Sequence, residues 1–320
     1  MLYTSNDLNS PKWKESAVPL QRYLHKYHMN EINKLKHHEK DFLFRSMLYI
    51  RNATDNKSPF NLYKIPEAKE FLFYKIILTY GKGVIDFNGV FYDYNGKITP
   101  NSLRRDKRFF HEYLSIWDNQ LTAGKGAYLS VLKPMFLYKV KETNALEAEG
   151  TLTKVECKNR IKYLKAIFFF IYYKVKYFFD EKRSTYIQRN ILGYEFIANT
   201  YTFCHILSRH YIPSLNDIFG VSLNTENLLI DIQKMPESIM NIVNSYFTVK
   251  GTLDKKMEYI LIEIDNEPYI IWLKYKKLNE LKQKEGFEIR TFYKPLAKEI
   301  SEKFEGKSKV KYNKQLAFLF

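Results

Sequence analysis

The sequence predicts an α+β chain, predominantly helical, with two or more short β-hairpins. Three observations carry this prediction. Between Lys158 and Phe179, the apolar residues Ile161, Leu164, Phe168, Ile171, Val175 and Phe178 recur at spacings of three and four, the period of one buried helical stripe. Val84–Phe87 and Val90–Tyr94 flank Asn88-Gly89, a dipeptide that supplies both positive-φ residues of a type I′ turn. Tyr259–Ile264 and Tyr269–Tyr275 flank Asp265-Asn266-Glu267-Pro268, which reads as a second hairpin.

The elements follow in order. Leu20 to Arg51 reads as one or two helices with Leu24, Tyr27, Ile32, Leu35, Phe42, Leu43, Met47 and Ile50 facing inward, and Asn52 to Pro59 as a polar loop. Pro66 suits a first helical turn, and Gly81-Lys82-Gly83 ends the helix it begins. After the hairpin 84–94, Ser102 caps a helix to about Asp118, and the runs Tyr128–Leu132 and Met135–Val140 around Pro134 read as strands. Thr143 to Gly150 turns polar and small, which marks a boundary. Beyond it come the helix Lys158 to Phe179, a second from Ser184 to His210, short helices on either side of Gly220, and a helix from Pro236 to Phe247. The second hairpin and a mixture of helix and Lys-rich coil over Glu280 to Phe320 complete the chain. The expected domains are therefore 1–145, with the hairpin 84–94, then a helical domain 151–250, then 251–320. A chain of 320 residues has room for two or three such units at roughly 100–200 residues each.

Composition narrows the function. The 45% apolar and 17% aromatic content excludes disordered, collagen-like and low-complexity classes. Lys and Arg total 51 against 35 Asp and Glu, a net charge of +16, which points to a polyanionic partner. Eleven of the 51 are Arg, leaving forty Lys, and the abundant Lys, Asn, Ile, Tyr and Phe are residues of AT-rich codons, so part of the charge reflects base composition. Lys suits phosphate backbones, whereas Arg forks onto guanine edges, so the balance favours sequence-tolerant contact with DNA or RNA. Cys157 and Cys204 form neither a disulfide framework nor a zinc spacing, which fits a reducing, cytoplasmic compartment. The N-terminal residues lack the pattern of a signal peptide, and the longest strongly apolar run, 166–173, is far short of the ~18 residues of a membrane span.

Several clusters are candidates for chemistry. On the helix 158–179, Lys158, Lys162, Lys165, Phe169, Tyr173 and Lys176 form a second stripe opposite the apolar one. Nine basic residues between Lys154 and Arg183 face only Glu156, Asp180 and Glu181. Such a stripe would attract phosphates, and its aromatic rings would stack unpaired bases. The same residues also read as a solvated Lys face with Phe169 and Tyr173 packed inward. Arg104, Arg105 and Arg108 form a basic cluster, and Lys274, Lys276 and Lys277 lie on the second hairpin where they would meet a nucleic-acid backbone. His25, His28, His37 and His38 match no metal spacing, and Asp86, Asp93, Glu263, Asp265 and Glu267 are better explained by turns than by Mg²⁺. No cofactor fingerprint or metal site is expected.

Phe219-Gly220-Val221-Ser222, with Leu229 beyond it, resembles the turn of a helix-turn-helix, although Asn216 and Glu226 depart from that pattern. Followed by the hairpin 259–275, it gives the order of a winged helix. A similar order in the N-terminal half makes the plan similar to that of plasmid replication initiators, in architecture alone; an ordinary α+β core is the alternative. Arg105 to His111 resembles the Arg-polar-x4-His motif of HEPN-type ribonucleases, a resemblance that implies phosphate binding by Arg105 and proton transfer by His111. A basic helix end with a core-edge His is the simpler reading of these residues. The leading expectation is a non-enzymatic nucleic-acid-binding protein of a mobile element, virus or similar AT-rich genome. The alternatives are a structural subunit of a viral or ribonucleoprotein assembly, suggested by 26 Tyr and 24 Phe, and a metal-independent ribonuclease.

Overall fold

Thr153-Lys154-Val155-Glu156 opens the longest helix among the described residues with reciprocal capping. The Thr153 hydroxyl accepts from the Glu156 backbone N–H at 3.3 Å, and the Glu156 carboxylate accepts from the Thr153 N–H at 2.8 Å. A computed structural model of the protein describes residues 13–53, 61–73, 100–211 and 234–320. The chain divides into two units, residues 1–120 with 146–173, and residues 121–145 with 174–320. The hairpin predicted at 84–94 and the helix-turn-helix segment 212–232 lie outside the described residues.

The first unit is helical in its described part. It contains α1 (Trp13–His28), α2 (His37–Ala53), short 3-10 turns at Leu62–Lys64 and Pro66–Ala68, and a helical stretch over 69–73. It also holds residues 100–120 of α3 (Pro100–Ala123) and residues 154–173 of α5 (Lys154–Lys182). One cluster joins Ile32, Leu35, Phe42, Leu43 and Met47, the expected inward residues, to Leu62, Ile65 and Phe71. A second part of the core is almost wholly aromatic. Phe73 stacks on Phe110 at 4.9 Å and meets the Phe169 edge at 4.5 Å, while Trp117 meets Phe169 at 5.2 Å. The buried Trp117 indole donates to the Lys165 carbonyl at 2.7 Å, satisfying its one polar atom.

The helix α4 (Leu129–Ala148), of which 129–145 belong to the second unit, occupies the two runs predicted as strands and most of the predicted linker. Pro134 lies within this helix, where it costs a backbone hydrogen bond without ending it. The predicted helix 184–210 is instead the hairpin β1 (Tyr186–Ile191) and β2 (Tyr194–Asn199), the short helix α6 (Thr200–Ile206) and a π-helical turn (Leu207–Tyr211). The hairpin turns on Leu192 and Gly193, both at positive φ. The helix α7 (Met235–Lys250) matches its prediction and stops at Gly251 in the left-handed conformation. The strands β3 (Tyr259–Ile264) and β4 (Glu267–Leu278) turn on Asp265 and Asn266 alone, so Glu267 and Pro268, read from sequence as part of the turn, already pair within the ladder. The strand β5 (Lys284–Tyr293), the helix α8 (Ala297–Phe304) and the strands β6 (Lys309–Lys311) and β7 (Leu316–Leu319) replace the predicted helix and coil.

The seven strands form one mixed sheet in the order β1-β2-β5-β4-β3-β7-β6, with β2 and β5 parallel and the other neighbours antiparallel. The fold class is thus mixed α/β, with one sheet larger than separate short hairpins would give. The hairpin β3–β4, read from sequence as a wing, is interior to this sheet. Phe287 of β5 stacks on Phe196 of β2 at 4.8 Å, and Phe196 meets Phe247 of α7 at 5.4 Å, so α7 covers one face. The other face carries Trp272, Tyr293 and Ile270, packed with Phe304 of α8. At Gly286 the parallel strands approach so closely that a Cβ would overlap the Glu195 carbonyl and lie 2.7 Å from Leu278.

Candidate functional site

The helical unit holds one basic groove of about 340 Å³, lined by Tyr63, Lys64, Lys69, Arg105, Arg108 and Phe109 among others. The turn Leu62–Lys64, the helical stretch 69–73 and the helix α3 position these side chains. The Arg105 guanidinium stands 5.8 Å from the Tyr63 ring centre, and Tyr63 in turn packs edge-on against Phe109 at 5.4 Å. Lys64, Lys69, Arg105 and Arg108 are all exposed. Glu112, 3.8 Å from Arg108, is the carboxylate of this lining. Lys64, Lys69 and Arg105 have no ion pair among the described residues.

Arg105 and His111 do not converge. Six helical residues at about 100° each leave them about 120° apart around α3. Arg105 opens into the groove with Tyr63, whereas His111 packs against the Phe110 ring at 5.8 Å and does not line the groove. Burial lowers the His111 pKa, and the Lys162 and Lys107 charges lower it further. Arg105 is therefore split from the histidine that the ribonuclease resemblance pairs with it, whereas Arg104 and Arg108 fall within about 60° of His111 around α3. Arg104 is exposed on the same helix.

The stripe predicted on the helix 158–179 is not a continuous cationic face. Lys158 is exposed, but Phe169 is fully buried at the centre of the aromatic core and presents no face to a base. Lys165 is half-buried and paired with Asp118 at 2.7 Å, and Lys162, Tyr173 and Lys176 are half-buried too. The apolar stripe is where the sequence puts it, from Leu164 to Phe178, but Phe169 and Phe170 on the other sides are buried as well. A helix enclosed on more than one side needs apolar residues beyond a single stripe, so its basic residues are dispersed among them.

The sheet unit carries a larger groove, about 780 Å³, over the end of the face that holds Trp272. Strand alternation decides which of the three predicted lysines reach it. Lys274 and Lys276 share a face with Trp272, and Lys277 points to the opposite one. Lys274 lines the groove and has no ion pair among the described residues. Lys276 is committed to Glu288 at 2.9 Å.

Among the groove residues not singled out in the sequence are Tyr201, His205 and Arg209, spaced by four along α6 and its π-helical extension, and Arg290 and Thr291 of β5. Trp272 pairs with Thr291 and Leu273 with Ile289, so Arg290 has no partner across the ladder and forms a β-bulge. Its guanidinium lies 4.2 Å from the Tyr201 ring centre, and its Nη1 donates to the Glu288 carboxylate at 2.6 Å. Glu288, 2% exposed, also accepts from the Asn199 amide at 2.9 Å. Burial pushes the Glu288 carboxyl upward, but hydrogen bonds from Arg290 and Lys276 outweigh burial and hold it below the usual carboxylate range. Asn199 itself caps α6 and bridges to Glu280 at 2.6 Å.

His205 stacks on Tyr201 at 5.4 Å. Burial first, then the charges of Arg209 and Arg290, push its pKa down to about 4, so the imidazole is neutral at pH 7. Arg209 is exposed, contacts the Tyr138 ring at 5.3 Å and has no ion pair among the described residues. The Thr291 hydroxyl is buried without a hydrogen-bond partner. At the other end of the groove the Trp272 indole donates to Tyr293 Oη at 3.1 Å, and Tyr293 donates to Glu299 at 2.7 Å.

No known protein family, curated protein or solved structure matches the chain. The site must therefore be read from its own chemistry. Both grooves present cations beside aromatic rings, a combination suited to phosphates and to the rings they carry. Among the described residues no cluster of three or more His, Cys, Asp or Glu could hold a metal, and no helix is long and apolar enough to cross a membrane. Glu263 and Glu267 are instead paired with Lys309 and Lys294. Cys157 and Cys204 are buried and not joined in a disulfide, with burial raising both thiols.

Proposed function

We propose that the protein binds nucleic acid through the sugar–phosphate backbone, with the groove of the helical unit as the principal contact. The observation that carries this reading is the set Lys64, Lys69, Arg105 and Arg108, four exposed cations around the Tyr63 and Phe109 rings with Glu112 as their acidic neighbour. Point charges at this density attract phosphates through counterion release without reading sequence. The half-buried rings beside them offer a surface for an unpaired base, which favours single strands. The contribution assigned to Lys162, Phe169 and Lys176 passes instead to this groove.

The reading is of a binding protein rather than a ribonuclease built on Arg105 and His111, because those two residues face different sides of α3. The test is fluorescence anisotropy with a labelled single strand, comparing the wild type with Arg105→Gln and Lys69→Gln. Both variants should weaken binding to unrelated sequences by the same factor, and sequence-dependent losses would contradict backbone contact.

A further inference from the structure

We propose that the groove of the sheet unit is a phosphomonoester site, which takes a terminal phosphate between Arg209, Lys274 and Arg290 with a hydrogen bond donated by Thr291 Oγ1. The phosphate can belong to the end of a strand or to a free nucleotide, and only the choice of a strand end rests on the nucleic-acid reading above.

Four observations converge on this chemistry. The Thr291 hydroxyl is buried with no hydrogen-bond partner, and a buried donor left unmatched is costly unless a ligand completes it. The β-bulge takes Arg290 out of the ladder register, and of its three guanidinium nitrogens Nη1 is the one bonded to Glu288. Arg209 and Lys274 line the same groove from the π-helical turn and from β4, both exposed and without ion pairs among the described residues. The fourth observation is the placement of acid. Glu258 and Glu299 line the groove with the cations, so its charge does not match an unbroken run of phosphates.

A phosphomonoester fits better than a bridging diester. It carries three terminal oxygens and close to two negative charges at neutral pH, against two oxygens and one charge for the diester. Three cations and one neutral hydroxyl supply donors for all three oxygens. A groove of about 780 Å³ also exceeds what phosphate alone fills, leaving room for the attached nucleoside beside Tyr293 and Trp272.

The test compares one labelled oligonucleotide bearing a 5′-phosphate, a 3′-phosphate or hydroxyls at both ends, at fixed salt, with a nucleoside monophosphate and inorganic phosphate as competitors. A strand with one of the terminal phosphates should bind about tenfold more tightly than the hydroxyl-ended strand, as expected for one charged hydrogen-bonded contact. Arg209→Gln and Thr291→Val should abolish this preference while leaving the hydroxyl-ended affinity unchanged. Thr291→Val removes only an unpartnered hydroxyl, so its folding is not at risk. Equal affinity for all three strands, or a preference that both variants retain, would overturn the proposal. If no strand binds, the nucleic-acid reading fails, and calorimetric titration with the nucleoside monophosphate decides the site alone. Saturable binding weakened by both variants upholds it, and no binding overturns it.

Discussion

The Arg290 guanidinium lies over the Tyr201 ring, 4.2 Å from its centre, and so ties the bulge of β5 to the helix α6. The same guanidinium neutralises the buried Glu288. Arg290 therefore has two structural partners in addition to the proposed phosphate. Replacing it with Met leaves Glu288 with Lys276 as its remaining cation and should cost about 2–3 kcal/mol in urea unfolding. Adding Glu288→Met removes the stranded charge as well, and the double variant should regain at least half of that loss. A double variant less stable than Arg290→Met would show that Glu288 is not held in place by Arg290.

Acid should weaken the sheet unit in two steps. His205 has a folded-state pKa of about 4, below the ordinary 6.5. Between these values the unfolded chain holds a proton that the folded chain lacks, so stability falls as pH drops from 6.5 towards 4. The side chain is partly open to solvent, which reduces the effect to about 1–2 kcal/mol. Glu288, with its carboxyl held low, contributes stability above its unfolded value near about 4.3 that is lost as pH falls through the folded value. Unfolding midpoints at pH 7, 5.5 and 4.5 should decline, and His205→Gln should flatten the decline above pH 4.5. An unchanged slope in that variant would exclude His205 as its source.

Phe169 is a core residue, enclosed by Phe73, Tyr113, Trp117 and Tyr173. Phe169→Ala should destabilise the protein by about 3–5 kcal/mol through the cavity it leaves. Phe169→Leu, which keeps most of the volume, should fold and bind nucleic acid like the wild type. A loss of affinity in a folded Phe169→Leu variant would restore the stacking role read from the sequence.

The extent to which the sequence discloses this fold depends on how one-sided each element is. The hairpin β3–β4 is plain because Asp265 and Asn266 take positive φ readily at a two-residue turn. The hairpin β1–β2 has the same geometry, but Leu192 occupies the first of those positions, where side chains of its kind are rare, so the turn goes unmarked. The strand β5 is buried on both faces between β2 and β4, so Gly286 to Ile289 lacks the alternation that identifies a strand. Pro134 reads as a breaker, yet α4 tolerates it by giving up one bond.

The candidate sites follow the same logic. Arg105 and Arg108 were legible because they lie three residues apart on one helix, and both reach one groove. Lys274 was legible from its hairpin, whereas separating it from Lys277 needed the strand register. Tyr201, His205 and Arg209 repeat every fourth residue, a signal that was available but had no phosphate-binding partner in view. That partner is Arg290 on a bulge about eighty residues later, and only the pairing of β4 with β5 reveals it.

The central claim is that exposed cations of the helical unit hold nucleic-acid phosphates, and the slope of log affinity against log salt tests it most directly. For a single strand the wild-type slope should be steep and linear, and Lys64→Gln, Lys69→Gln and Arg105→Gln should each reduce it by about 0.7. Lys158→Gln, outside the groove, should leave the slope unchanged. Absence of binding at low salt, or a slope that the three groove variants leave intact, would contradict the account.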